Sequence, residues 1–109
     1  MKIDELMPGM CREFSYRENG EWQPAFLLKS ESVLLAYRNS CPHTGAPLNW
    51  QPDEFLNYEG DMLQCSIHGA LFRIDDGRCI YGSCQGKSLE KLELETDDEG
   101  NILFNSELI

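Results

Sequence analysis

The sequence is poor in histidine, in basic residues and in long apolar runs. Only two of its 109 residues are histidine, His43 and His68. No nucleophile, acid/base pair or substrate motif stands elsewhere in the chain, which argues against catalysis by this chain alone. The longest apolar run near the start is Ala25-Phe26-Leu27-Leu28. Spanning a bilayer takes about 20 residues, so this run is far too short. Met1-Lys2 leads into the acidic Ile3-Asp4-Glu5-Leu6, without the apolar stretch of a signal peptide. A soluble cytoplasmic protein is the expectation. With 9 basic against 19 acidic residues the formal charge is −10. Such a chain does not seek phosphate backbones. It suits a partner with a basic patch, or the charge serves solubility alone. There is no repeat, low-complexity tract or linker. One domain over 1–109 with one modest core follows, and no room is left for a separate catalytic domain.

The histidines fall in two short loops, each beside a cysteine. The first reads Cys41-Pro42-His43-Thr44-Gly45-Ala46-Pro47-Leu48, and the second Cys65-Ser66-Ile67-His68-Gly69-Ala70-Leu71-Phe72. The patterns are C-x-H and C-x-x-H, with 21 residues between His43 and Cys65. That is too long for one turn, so two separate loops must converge on one centre. A Cys/His set holds zinc or an iron–sulfur cluster. Finger-type zinc sites usually set a cysteine pair before a histidine pair. Here each loop mixes the two, which suits a two-iron centre: a thiolate on one iron and an imidazole on its neighbour.

At these residues the sequence resembles the Rieske [2Fe-2S] family. The resemblance extends to Gly45, Pro47 and Leu48, then Gly69 and Phe72, then Gly77 and Gly82, and covers roughly residues 33–92 well. It implies a β-sandwich with an inserted cluster-binding subdomain, approximately residues 40–85. It implies that Cys41 and Cys65 bind one iron and His43 and His68 the other, with one [2Fe-2S] cluster per chain. Neutral imidazoles in place of two thiolates raise the potential to roughly −150 to +300 mV, against about −400 mV for plant-type ferredoxins. High-potential relatives place a Ser hydroxyl and a Tyr hydroxyl where this chain has Ala70 and Phe72. Their loop-pinning disulfide falls at Ala46 and Ile67. The low end of the range is therefore expected. Gly45 and Gly69 are expected to let backbone N–H groups approach the sulfides. In the third loop Gly82-Ser83 replaces a common Gly-Pro, and Ser88 stands where Pro is frequent. The outer nitrogens of His43 and His68 are expected near the surface, giving an exit for the electron and a potential that depends on pH at high pH.

Away from the loops the sequence is all-β. Cys11 to Arg17 alternates as a strand with Phe14 and Tyr16 on one face. Asn19-Gly20 signals a two-residue hairpin. The return strand continues past Pro24, which predicts an edge position. Ser30-Glu31 is read as a turn, and residues 33–37 as a buried strand into the first loop. Residues 49–61 form an irregular connection whose Trp50, Phe55 and Tyr58 are expected to pack on the body. Short strands are expected at 62–64, 71–74 and 78–81, with Asp75-Asp76-Gly77 as a turn. Leu89 to Glu95 alternates as one strand, with Leu92 and Leu94 inward. Ile102-Leu103-Phe104 is expected to be the last strand. Short strands with turns every eight to twelve residues indicate a sandwich or small barrel. Beyond the two ligand cysteines, the odd set Cys11, Cys79 and Cys84 argues against a disulfide framework. They read as buried or semi-buried thiols, with a Cys79–Cys84 redox pair as the sharper alternative.

The expected role is a soluble Rieske-type ferredoxin, an electron-transport component similar to those of aromatic-ring dioxygenase systems. It would pass electrons from an NAD(P)H-dependent flavoprotein reductase to a terminal oxygenase or other oxidoreductase. A small Rieske subunit of a nitrite reductase type and a zinc-stabilised binding module are the alternatives.

Overall fold

A computed structural model describes residues 2–30, 33–42, 45–49, 51–66, 69–82, 84–105 and 107–109. After a short 3-10 turn at Ile3–Glu5, ten strands follow among the described residues: β1 Cys11–Glu18, β2 Glu21–Ser30, β3 Val33–Arg38, β4 Met62–Gln64, β5 Leu71–Arg73, β6 Cys79–Tyr81, β7 Lys91–Leu92, β8 Glu95–Thr96, β9 Ile102–Phe104 and β10 Glu107–Leu108. They form a four-stranded sheet in the order β1-β2-β3-β7 and two three-stranded sheets, β4-β5-β6 and β10-β9-β8. All the pairings are antiparallel.

The reason for three sheets lies in β2. Ala25, Phe26, Leu27 and Leu28 are all buried. Side chains alternate across a strand, so a continuous apolar run must be covered on both faces. Ala25 and Leu27 join Leu6, Tyr16, Ala36, Leu92 and Ile102 in one core. Phe26 and Leu28 join a second core with Leu35, Tyr37, Phe55, Leu63 and Phe72. The four-stranded sheet is thus the middle layer. The second core carries β4-β5-β6 and the loops that lead to them. Phe55 seals it by stacking on Phe26, with ring centroids 4.0 Å apart.

Several expected features hold. Asn19 and Gly20 have φ of 53° and 83°, as a two-residue turn matched to strand twist requires. Phe14 and Tyr16 share a face, their rings 6.4 Å apart. The turn placed at Ser30-Glu31 falls partly outside the described residues, as does Trp50.

Four expectations need correction. Pro24 does not mark an edge, because β2 lies between β1 and β3. The proline is accommodated because β3 pairs with β2 only from Ala25↔Arg38 onward. Beyond that point the Pro24 carbonyl accepts from the Asn39 N–H at 2.9 Å. The nitrogen that lacks a proton faces the same side, where no strand continues. Leu89 to Glu95 is not one strand: β7 pairs with β3 while β8 pairs with β9, so the chain changes sheets at Glu93-Leu94. Leu92 and Leu94 still turn inward across that break. Ile102–Phe104 is not the last strand, since β10 folds back onto it. Tyr58 does not pack on the body but is fully exposed, while Phe55 from the same connection is buried.

Candidate metal centre

Both cysteine loops close on one backbone pattern. In the first, the Cys41 N–H donates to the Ala46 carbonyl at 2.8 Å and the Gly45 N–H donates to the Cys41 carbonyl at 2.7 Å. In the second, the Cys65 N–H donates to the Ala70 carbonyl at 2.9 Å and the Gly69 N–H donates to the Cys65 carbonyl at 2.8 Å. The glycine is the fifth residue of each loop, with φ of 80° at Gly45 and 69° at Gly69. That left-handed conformation strains any residue with a Cβ. Among the described residues an added Cβ would meet nothing within 4 Å at either position. Dihedral angle, not space, therefore selects glycine. The N–H groups of these two glycines themselves bond cysteine carbonyls.

The loops are fastened to each other and to the middle sheet. The Ser66 N–H of the second donates to the Leu48 carbonyl of the first at 2.7 Å. The Leu48 N–H donates to Asn39 Oδ1 at 2.8 Å, and Asn39 Nδ2 donates to Asn49 Oδ1 at 2.9 Å. Asn39 is buried and follows directly on β3. A buried amide must be hydrogen-bonded, and here its bonds set the path of the first loop. Sequence reasoning passed over Asn39, whose only local signal is its place two residues before Cys41.

Cys41 and Cys65 are buried in the same core cluster, with Leu48, Leu63, Ala70 and Phe72 around them. The structure thus brings together two of the four expected ligands. The other two, His43 and His68, lie outside the described residues. Among the described residues no group of three or more His, Cys, Asp or Glu could hold a metal ion. Two thiols buried in one apolar cluster, on loops tied to each other, fit the thiolate half of an iron–sulfur site.

A third loop closes over this cluster. At Gly82 an added Cβ would lie 2.9 Å from Ala70 Cα, so this backbone packs directly on the second cysteine loop. Ser83 is outside the described residues. Cys84, next in the chain, is buried, and its Sγ donates to Cys79 Sγ at 2.8 Å. Burial pushes the Cys84 thiol up to about 12, aided by Cys79 and then by Cys41. Cys11 is also buried, and burial pushes its thiol up to about 11. None of the five cysteines, all among the described residues, forms a disulfide. Among the described residues no helix is long and apolar enough to cross a membrane.

Comparison with known proteins agrees with this geometry. The Rieske [2Fe-2S] domain family matches residues 2–96. The chain belongs to that family, whose cofactor is a [2Fe-2S] cluster, one per chain. Two Mycobacterium tuberculosis proteins named as Rieske 2Fe-2S iron-sulfur proteins are 39% identical over 54 residues, covering 47% of this chain. The match spans only 10% of their length. The ferredoxin of carbazole 1,9a-dioxygenase from Nocardioides aromaticivorans IC177 superimposes with a TM-score of 0.67 at 19% identity, over 95% of this chain and 91% of that one. A chain in a complex of reduced oxygenase and oxidised ferredoxin of carbazole 1,9a-dioxygenase gives 0.68 at 20% identity, over 99% and 91%. At such identities the structures establish a shared fold.

Proposed function

We propose that this chain is a one-electron carrier whose [2Fe-2S] cluster is held by Cys41 and Cys65 on one iron and by His43 and His68 on the other. The observation that carries the reading is the pair of identically clasped cysteine loops meeting in one buried cluster, in a chain of the Rieske family. When bound, such a cluster takes up and releases a single electron at roughly −150 to +300 mV. The residues around it favour the low end. Ala70 and Phe72 are buried against the cysteine loops, and neither side chain has a proton to donate to a sulfur. Hydrogen bonds to sulfur stabilise the reduced state, so their absence lowers the potential. Leu48, Leu63 and Phe72 keep water from Cys41 and Cys65.

The chain from 1 to 109 acts as one Rieske domain, with residues of approximately 40–85 as its cluster-binding part. Its donor is an NAD(P)H-dependent flavoprotein reductase, and its acceptor a terminal oxygenase or a related oxidoreductase. The similarity to a ferredoxin described in complex with its oxygenase supports the acceptor. The charge of −10 supports docking to basic patches on both. Five cysteines without a disulfide suit a reducing, cytoplasmic setting.

The test is electron paramagnetic resonance of the dithionite-reduced protein, with iron and zinc measured on the same sample. A rhombic signal with an average g below that of all-cysteine clusters, and about two irons per chain, is expected. About one zinc per chain and no signal would overturn the reading and leave a zinc-stabilised module. Purification in tight complex with a large reductase would move the chain to the subunit alternative.

A further inference from the structure

Outside the two ligand loops, Cys79 and Cys84 stand against each other. Cys84 Sγ donates to Cys79 Sγ at 2.8 Å, and Cys79 Sγ donates to the Tyr81 carbonyl at 3.3 Å. A disulfide has its sulfurs about 2.05 Å apart. Closing this pair therefore takes an approach of under about 1 Å, within one turn and without moving one sheet on another. The turn also offers a way in. Tyr81, Gly82, Gln85, Gly86, Lys87 and Ser88 are exposed, and Cys84 among them is buried. Two of its backbone hydrogen bonds are long: the Gln85 N–H to the Gly82 carbonyl at 3.2 Å, and the Gly86 N–H to the Cys79 carbonyl at 3.3 Å. Local opening of such a turn uncovers Cys84 while the strands stay paired.

We propose that Cys79 and Cys84 form an oxidisable dithiol that closes to an intrachain disulfide, with a low-molecular-weight disulfide such as oxidised glutathione as oxidant. Once the opened turn has exposed Cys84 to water and removed the burial that holds its thiol protonated, the Cys84 thiolate attacks one sulfur of the small disulfide, whose S–S bond breaks. One small thiol leaves and takes the proton that Cys84 gives up. The Cys79 sulfur then attacks the mixed disulfide at Cys84, the protein S–S bond forms, and the second small thiol leaves with the proton of Cys79. The two cysteines lose two electrons, and the small disulfide gains them as two thiols. Closure acts on both ligand loops, since Gly82 packs on Ala70 and Cys84 shares a buried cluster with Cys41 and Cys65. That consequence rests on the ligand assignment proposed above, whereas the disulfide itself does not.

The experiment incubates the iron-loaded protein in mixtures of oxidised and reduced glutathione, quenches in acid, alkylates the remaining thiols and maps them by mass spectrometry. A product lighter by two hydrogens, with Cys79 joined to Cys84 and Cys11 still alkylated, is expected in the folded protein. Cys79→Ser and Cys84→Ser should each abolish it, and Cys79→Ser should leave a glutathione adduct on Cys84. A link that forms only in denaturant, or alkylation of both thiols at the most oxidising ratio, overturns the proposal. Iron content and resonance spectra of the same samples separate the two readings. A disulfide in protein that binds no iron leaves the dithiol standing and removes the ligand assignment. An iron-loaded protein with an inert pair does the reverse. Identical spectra for the dithiol and disulfide forms would overturn the coupling to the ligand loops.

Discussion

The loops 41–46 and 65–70 have a twin with other chemistry. In 73–78 the Arg73 N–H donates to the Arg78 carbonyl and the Gly77 N–H to the Arg73 carbonyl, each at 2.9 Å, with φ of 73° at Gly77. The backbone clasp is the one that closes both cysteine loops, so it carries no function by itself. What differs is the residue at its first position and where that residue points. Leu63 and Cys65 are both buried, with Gln64 between them half-exposed, so the alternation of β4 turns the first residue of its loop inward. In β5, Phe72 is buried and Arg73 is exposed, so there the first residue turns to solvent and pairs with Asp76. A shift of one residue in strand phase exchanges a buried ligand for a surface ion pair. The comparison teaches that the ordinary hairpin turn is the scaffold, and that strand phase decides whether it serves a site.

The largest effect should come from the first position. Cys41→Ser and Cys65→Ser should each reduce iron from about two per chain to near zero and abolish the reduced-state resonance signal. Asp76→Asn, in the twin loop, should leave both unchanged. Iron analysis and visible absorption of the three variants decide it. Full iron retention in either serine variant would remove that cysteine from the ligand set.

The candidate site was legible in the sequence to the extent that its chemistry is local. Two histidines, each within three residues of a cysteine, mark loops whatever surrounds them. The hairpin at Asn19-Gly20 was legible for the same reason. What was not legible depends on partners distant in sequence. Pro24 signals an edge by its own chemistry, and only the end of β3 beside it shows why an interior strand accepts it. The alternation from Leu89 to Glu95 is continuous in sequence, yet β3 and β9 claim different halves of it. Tyr58 and Phe55 are equally aromatic, and only Phe26 distinguishes them. Asn39 carried little beyond its place near Cys41, because its partners Leu48 and Asn49 become neighbours only after the first loop forms.

The glycine position sharpens the comparison at a smaller scale. At Gly69 an alanine Cβ meets nothing within 4 Å among the described residues. Gly69→Ala should therefore cost only the left-handed strain, about 1–2 kcal/mol. At Gly77 the Cβ would lie 2.8 Å from Tyr37 Cε1 and 3.2 Å from Leu89 Cβ. The Tyr37 ring is buried and held by its hydroxyl, which donates to the Ile74 carbonyl at 2.6 Å, so it yields little. Gly77→Ala should cost the same strain plus about 1–3 kcal/mol of overpacking. Urea midpoints of the two variants, taken with iron content, test the order. Equal midpoints would mean that Tyr37 gives way and that the two loops are equivalent in packing as well as in backbone.

The smallest effect is the acid response of the twin loop. The Arg73 guanidinium holds the Asp76 carboxyl below its ordinary range, and the Arg78 N–H adds to the effect. A carboxylate whose folded pKa is depressed contributes stability above the unfolded value of about 3.9, and that contribution is lost as pH falls through the folded value. Asp76→Asn should therefore be slightly less stable than the parent at neutral pH, with the gap closing as the pH falls below about 4. The pair is exposed, so the gap should be the smallest of the set and shrink further with salt. Asp97 offers a matched control. Its carboxyl is lowered by the Asn101 side chain and backbone, in a turn far along the sequence from either cysteine loop. Asp97→Asn should show the same closing gap in a thermal-unfolding series against pH. If Asp76→Asn alone also moved the resonance spectrum of the reduced protein, the loop at 73–78 would be coupled to the cysteine loops. The separation between scaffold and site would then fail at that loop.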